Sequence, residues 1–176
     1  MTDFLHQAGF LGTTGNMAAD LTLALSLLVM LTFSVGYYLA LRGRYDTHKW
    51  VQTGGAILNV ILVLWLMLLP YRDFIIRDKG GPREEIFYTV TMIHAGVGLL
   101  AFVLGNFVVL RGHKLVPQAL RFNNYKLFMR TAYGLYFVTT LLGVWLYYVW
   151  YVVIENTPEF GALLLAYVHA GSPTPF

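Results

Sequence analysis

The sequence has no cysteine. Disulfides, thiolate metal sites and cysteine nucleophiles are therefore excluded. Charge is scarce as well: charged residues make up 12% of the 176 positions and hydrophobic residues 57%, about half the charge of an ordinary soluble domain. There is no Gly-rich phosphate loop and no stripe of basic and aromatic residues, so the formal net charge of +3 does not point to nucleic acid. Gly-x-Ser-x-Gly and His-Glu-x-x-His are absent, and no carboxylate pair lies inside an apolar run, so no hydrolase constellation is visible. Residues 1–16 contain Asp3 but no Lys or Arg. A secretory signal opens with basic residues, so the first apolar run is expected to be a retained helix.

What is present is apolar length. A hydrocarbon core about 30 Å thick needs roughly 20 apolar residues in a helix. Residues 21–41, 51–69, 86–110 and 131–154 meet this without an internal Asp, Glu, Lys or Arg. A soluble helix this long would turn a charged face to water, and β-barrel strands would alternate polar and apolar residues. The expected fold is an all-α membrane protein, one domain over 1–176, built as a four-transmembrane-helix bundle. Residues 3–10 and 160–167 are apolar but too short to span, and suit interfacial helices or frayed ends.

All 12 basic residues lie in the connections. Arg42, Arg44 and Lys49 fall in the first, and Arg111, Lys114, Arg121, Lys126 and Arg130 in the third. The second has Arg72, Arg77, Lys79 and Arg83, offset by Asp73, Asp78, Glu84 and Glu85. Glu84 and Glu85 are read as a helix N-terminal cap. The positive-inside rule places loops one and three in the cytoplasm and both termini outside.

The two halves also resemble each other. Leu41-Arg42-Gly43 matches Leu110-Arg111-Gly112. Arg44-Tyr45-Asp46-Thr47-His48-Lys49-Trp50 then aligns with Arg121-Phe122-Asn123-Asn124-Tyr125-Lys126-Leu127. The pattern describes two tandem hairpins related by an axis along the membrane normal, and it pairs His48 with Tyr125.

Polar groups within spans default to function, because burying them in lipid is costly. His94 is the one histidine inside a span, on a helical face shared with Thr91, Gly98, Ala101 and Gly105, where another helix packs closely. Gln52, Gly55, Ala56 and Asn59 form a similar stripe on the second span. Tyr133, Tyr136, Thr140 and Tyr147 lie on the fourth. These faces are expected to meet in a polar-lined core. His94 and its neighbours suit either a hydrogen-bonded scaffold or a ligand for haem, a metal or a quinone head group. At 1.5 Å per residue, His94 sits about 12 Å in from the outer end of its span, and His48 is more than about 20 Å away along the normal. His113 is also on the cytoplasmic side, and His6 and His169 are on the tails. No second histidine reaches His94's depth. His48 and His113 share a side and could share a surface metal, although two loop histidines are usually only solvated.

Three stretches carry a family resemblance: Arg42-Gly43-Arg44-Tyr45-Asp46-Thr47-His48-Lys49, Phe87-Tyr88-Thr89-Val90-Thr91-Met92-Ile93-His94-Ala95, and Arg121-Phe122-Asn123-Asn124-Tyr125-Lys126 on through Arg130 to Gly143-Val144. Over about residues 21 to 149 the chain resembles the small bacterial membrane family typified by YozB, also called CtaM. The resemblance implies an accessory role in making haem–copper cytochrome oxidase, with haem or metal handling suggested by four histidines in the family pattern. His48 and His94 match two of these. The other two positions read Leu68-Leu69-Pro70-Tyr71 and Tyr125 here, and a family proline in the last span reads Gly134. Tyrosine is a poor ligand for most divalent metals near neutral pH. Haem and copper are thus compatible cofactors with an incomplete ligand set.

Three functions follow. The first is a non-enzymatic assembly factor or accessory subunit of a haem–copper oxidase or related electron-transport complex in the bacterial inner membrane, whose partners are the lipid bilayer and larger membrane subunits. The second is a haem- or metal-carrying, or quinone-interacting, electron-transfer protein that uses His94, with His48 as a further cofactor-binding candidate. The third is a small transporter or channel, which the repeat favours.

Overall fold

The computed structural model describes residues 4–5, 7–68, 86–121 and 124–153. Four helices account for nearly all of them: α1 (Met17–Leu41), α2 (Tyr45–Ile61, continued by a π-helical segment Leu62–Met67), α3 (Ile86–Gly112) and α4 (Tyr125–Tyr148, continued by a π-helical segment Val149–Val153). All four are long and apolar enough to cross a membrane. The protein is a multi-pass, all-α four-helix bundle. The second connection, with its basic and acidic residues, and the 160–167 segment, His6 and His169 lie outside the described residues.

Each helix packs on two neighbours in a ring, α1–α2–α3–α4–α1, and the closest packing is within the hairpins α1–α2 and α3–α4. The small-residue stripes make this packing, as lipid-embedded helices require. A Cβ on Gly55 would come within 2.7 Å of the Phe33 ring, one on Gly36 within 2.6 Å of Gln52, and one on Gly98 within 3.2 Å of Thr139. Tyr133 stacks on Tyr37 with ring centroids 4.9 Å apart and shares a 3.0 Å hydrogen bond with Ser34, which joins α4 to α1. Outward faces present Leu27, Leu28, Leu31, Leu99, Leu100, Val103 and Leu141, the surface a bilayer would cover.

Three of the four helices, α1, α2 and α4, begin earlier than the apolar runs. Residues 42–44 alone separate α1 from α2, and Lys49, Lys126 and Arg130 stand on helices rather than in loops. A span read from hydropathy stops at the first charge, whereas backbone hydrogen bonding continues through it. Both odd helices end in the same way. Gly43 takes φ +71°, its N–H donating to the Ala40 carbonyl and that of Arg44 to Leu39. Lys114 takes φ +62°, with its N–H on Arg111 and that of Leu115 on Leu110. Both are Schellman closures. The turn equivalent of Gly43 is thus Lys114, not the Gly112 of the sequence match. Gly112 remains helical, and a Cβ there would stand 3.0 Å from the Tyr125 hydroxyl.

The other end of the bundle is covered by the N-terminal segment. Phe4 and Leu5 are helical, but residues 7–16 form a loop rather than an interfacial helix or a frayed end. Asn16 caps α1, its side chain accepting from the Ala19 N–H at 3.0 Å. Asp20, in the first turn, is fully buried. Its carboxylate accepts from Tyr147 Oη at 2.5 Å and from the Leu11 N–H at 2.6 Å. Thr13 Oγ1 lies 2.7 Å from Tyr147 Oη, and Thr14 donates to the Tyr151 carbonyl at 3.0 Å.

Candidate functional site: an axial cavity

At the end formed by loops one and three the helices part around a half-open cavity of about 630 Å³, within the range of about 300–1,000 Å³ typical of small-molecule sites. The hairpin match explains its placement. His48 and Tyr125, Lys49 and Lys126, Ala56 and Tyr133, and Asn59 and Tyr136 all occupy equivalent positions in the two repeats, and all of them line it. At its inner end Tyr136 Oη donates to Asn59 Oδ1 at 3.2 Å, so equivalent residues of the diagonal helices α2 and α4 meet. That is where a pseudo-twofold axis must pass. The packed cluster of Val29, Ala101 and Tyr136, with Phe33, Leu58 and Leu135 against it, closes the core there.

The equivalent pair His48 and Tyr125 does equivalent work. His48 Nδ1 lies 2.7 Å from the Gly36 carbonyl oxygen on α1, and Tyr125 Oη donates to the Val108 carbonyl on α3 at 3.4 Å. Each reaches back from an even helix to the backbone of its own hairpin partner. A carbonyl only accepts, so His48 Nδ1 carries a proton and Nε2 is the nitrogen not used in this bond. His113 can be assigned in the same way. Thr53 Oγ1 donates its proton to the Lys49 carbonyl at 2.8 Å, so at 2.7 Å it accepts from His113 Nε2, and Nδ1 is the nitrogen not used in this bond. His113 also stands edge-on to Trp50 at 5.7 Å. The two loop-end histidines are therefore built into the wall of one cavity, half-buried and bonded, where the sequence suggested solvated side chains.

His94 lies elsewhere. It is not among the cavity-lining residues. It packs on α4, where a Cβ on Gly143 would come 3.1 Å from its Cε1, and its ring interacts with the Thr139 backbone. Its Nδ1 is buried with no hydrogen-bond partner. Among the described residues the other two histidines are at the loop-one and loop-three end, and no three His, Asp or Glu side chains converge. Among the described residues no group of His, Asp and Glu able to hold a metal forms at His94, and its Nδ1 faces α4.

Asp20 was not singled out by the sequence, because it stands one residue before the first apolar run. Asn16 with Asp20 four residues on is a helix-start signal, but nothing in the sequence pairs that turn with Tyr147. No protein-family profile, curated protein or solved structure matches the chain.

Proposed function

We propose that this protein is a non-enzymatic assembly factor or accessory subunit of a haem–copper oxidase, or a related electron-transport complex, in the bacterial inner membrane. One observation carries the reading. Two of the three stretches that resemble the YozB/CtaM family, distant in sequence, supply the wall of a single cavity: Tyr45, Asp46, His48 and Lys49 from one, Tyr125 and Lys126 from the other. The broad apolar exterior gives lipid or larger subunits a surface to cover, and the excess of basic residues around loops one and three turns the cavity mouth toward the cytoplasm. The test is co-purification of the full chain from its own membranes in a mild detergent. Recovery with large oxidase subunits, and loss of assembled oxidase when the chain is deleted, are expected. A chain that runs alone, in cells whose oxidase level does not depend on it, would sink the reading.

A second reading, a carrier of haem or a quinone, is favoured by two nitrogens that make no hydrogen bond among the described residues, His48 Nε2 and His113 Nδ1, on the wall of a cavity of suitable size. An oxidised-minus-reduced visible spectrum with metal analysis tests it. A band that disappears in His48→Ala supports it. A colourless, metal-free protein that takes up neither haem nor quinone rejects it.

A further inference from the structure

The cavity mouth has an unbalanced charge. Lys49, Lys126 and Arg130 line it against a single carboxylate, Asp46. No ion pair neutralises these cations among the described residues. Lys49 rests over the Trp50 ring at 5.8 Å, and Lys126 and Arg130 are exposed. Both even helices start at this mouth and both odd helices end there, so the helix ends largely offset one another and the side chains set the field. Neither start has a side-chain cap: Arg44 and Asn124 make no capping bond, in contrast with Asn16 on α1. Deeper in, the wall turns to Phe33, Phe102, Tyr133 and Tyr136. Cations that only marked the cytoplasmic side of the membrane would serve anywhere around the bundle's rim. These three line one cavity mouth, with a repeat-related lysine on either side of the axis.

We propose that the axial cavity binds an anionic amphiphile, with a carboxylate or phosphate held at the mouth by Lys49, Lys126 and Arg130 and an apolar body among the aromatic side chains of the interior. The site rests on the cavity and its charges alone, and stands or falls independently of the oxidase reading. The shared chemistry, an anionic oxygen group on an apolar body, is met by an acidic phospholipid or by a free fatty acid.

The test uses the full-length protein in an uncharged detergent, with binding read by native mass spectrometry. The probes are phosphatidylglycerol, phosphatidylcholine, oleate and inorganic phosphate. One molecule of phosphatidylglycerol or oleate per chain is expected to bind in preference to phosphatidylcholine, and whichever of the two binds identifies the source of the anion. Lys49→Gln with Lys126→Gln should weaken that binding by about tenfold or more. Arg42→Gln with Arg44→Gln removes the same charge at the same end, outside the cavity lining, and should change it by less than about twofold. Gly105 lines the cavity, and a Cβ there meets nothing within 4 Å. Gly105→Leu therefore starts from an open Cβ position and puts its bulk into the cavity, and should abolish binding while thermal unfolding stays the same or rises. Equal losses in the two charge variants would make the effect a general one of surface charge and overturn the proposal. So would undiminished binding in Gly105→Leu, which would place the lipid on the outside, or binding of inorganic phosphate without either amphiphile.

Discussion

The two ends of this bundle use similar polar residues to opposite effect. At the N-terminal end Asp20, Thr13 and Tyr147 consume one another's hydrogen-bonding capacity, Asn16 caps α1 through the Ala19 N–H, and the cluster is closed over by residues 7–16. At the loop-one and loop-three end, among the described residues, the histidines are each bonded through one nitrogen only, the cations make no ion pair, and two helix starts lack side-chain caps. The same fold thus has one end where polarity is spent on structure and one where it is left available. Substitutions should therefore cost stability at the first end and binding at the second.

The largest effect is expected at Asp20. Asp20→Ala removes two hydrogen bonds to a buried carboxylate, from the Tyr147 hydroxyl and the Leu11 N–H, and should destabilise by about 3 kcal/mol. Tyr147→Phe leaves one carboxylate oxygen without its partner and should cost about 2 kcal/mol. In the double variant the losses should fall short of additive by more than about 1 kcal/mol, as measured by unfolding in mixed micelles. Additive losses would mean that the closed end is not a network, and the contrast with the open end would dissolve. At that open end, Gly105→Ala should stabilise by about 0.5–1 kcal/mol, because it removes a helical glycine where a Cβ meets nothing. A destabilised Gly105→Ala would show that the cavity collapses in solution.

What the sequence made legible follows from which forces are local. Four helices could be read because lipid demands an apolar run of fixed length. The stripes at Gly55 and Gly98 could be read because close packing demands small residues at helical spacing. The repeat could be read from Arg44 and Lys49 against Arg121 and Lys126, and it paired His48 with Tyr125 before the structure gave both the same backbone-directed hydrogen bond. The polar-lined core could be read from the stripes, seven of whose residues, Gln52, Ala56, Asn59, Ala101, Gly105, Tyr133 and Tyr136, line the cavity, but not that the helices part there, because a gap between helices leaves no pattern on any one of them. Its lining lysines looked like loop charges, since hydropathy cannot distinguish a cation at a helix start from one beyond it. Asp20 was hidden for a related reason: its partners Tyr147 and Leu11 are brought to it only by the fold.

Between the two ends stands the contact on the pseudo-axis. Tyr136→Phe removes the bond to Asn59 and should cost about 0.6 kcal/mol, the average for hydrogen bonds between transmembrane helices. Asn59→Leu should cost a similar amount, and the double variant little more than either, if the two residues act as one pair. A much larger loss in Tyr136→Phe alone would show that the phenol has a second partner and that the inner end of the cavity is not the axis.

The smallest effect is expected at His94, and it sharpens the comparison most. His94 belongs to neither pattern: its Nδ1 is buried like the polar groups of the closed end, yet unpartnered like the available groups of the open end. If it is part of the scaffold, an unpaired buried nitrogen already counts against stability, and His94→Leu removes that penalty together with the interaction at Thr139. The carbonyl there is left within helical α4, where it keeps its backbone bond. The two changes should offset to within about 1 kcal/mol, while the affinity of the axial cavity for its anion, measured on the same sample, is unchanged. A loss of several kcal/mol, or a fall in binding at a cavity that His94 does not line, would mean that the second hairpin couples its interior to the mouth through α4, with His94 facing Gly143 as the link.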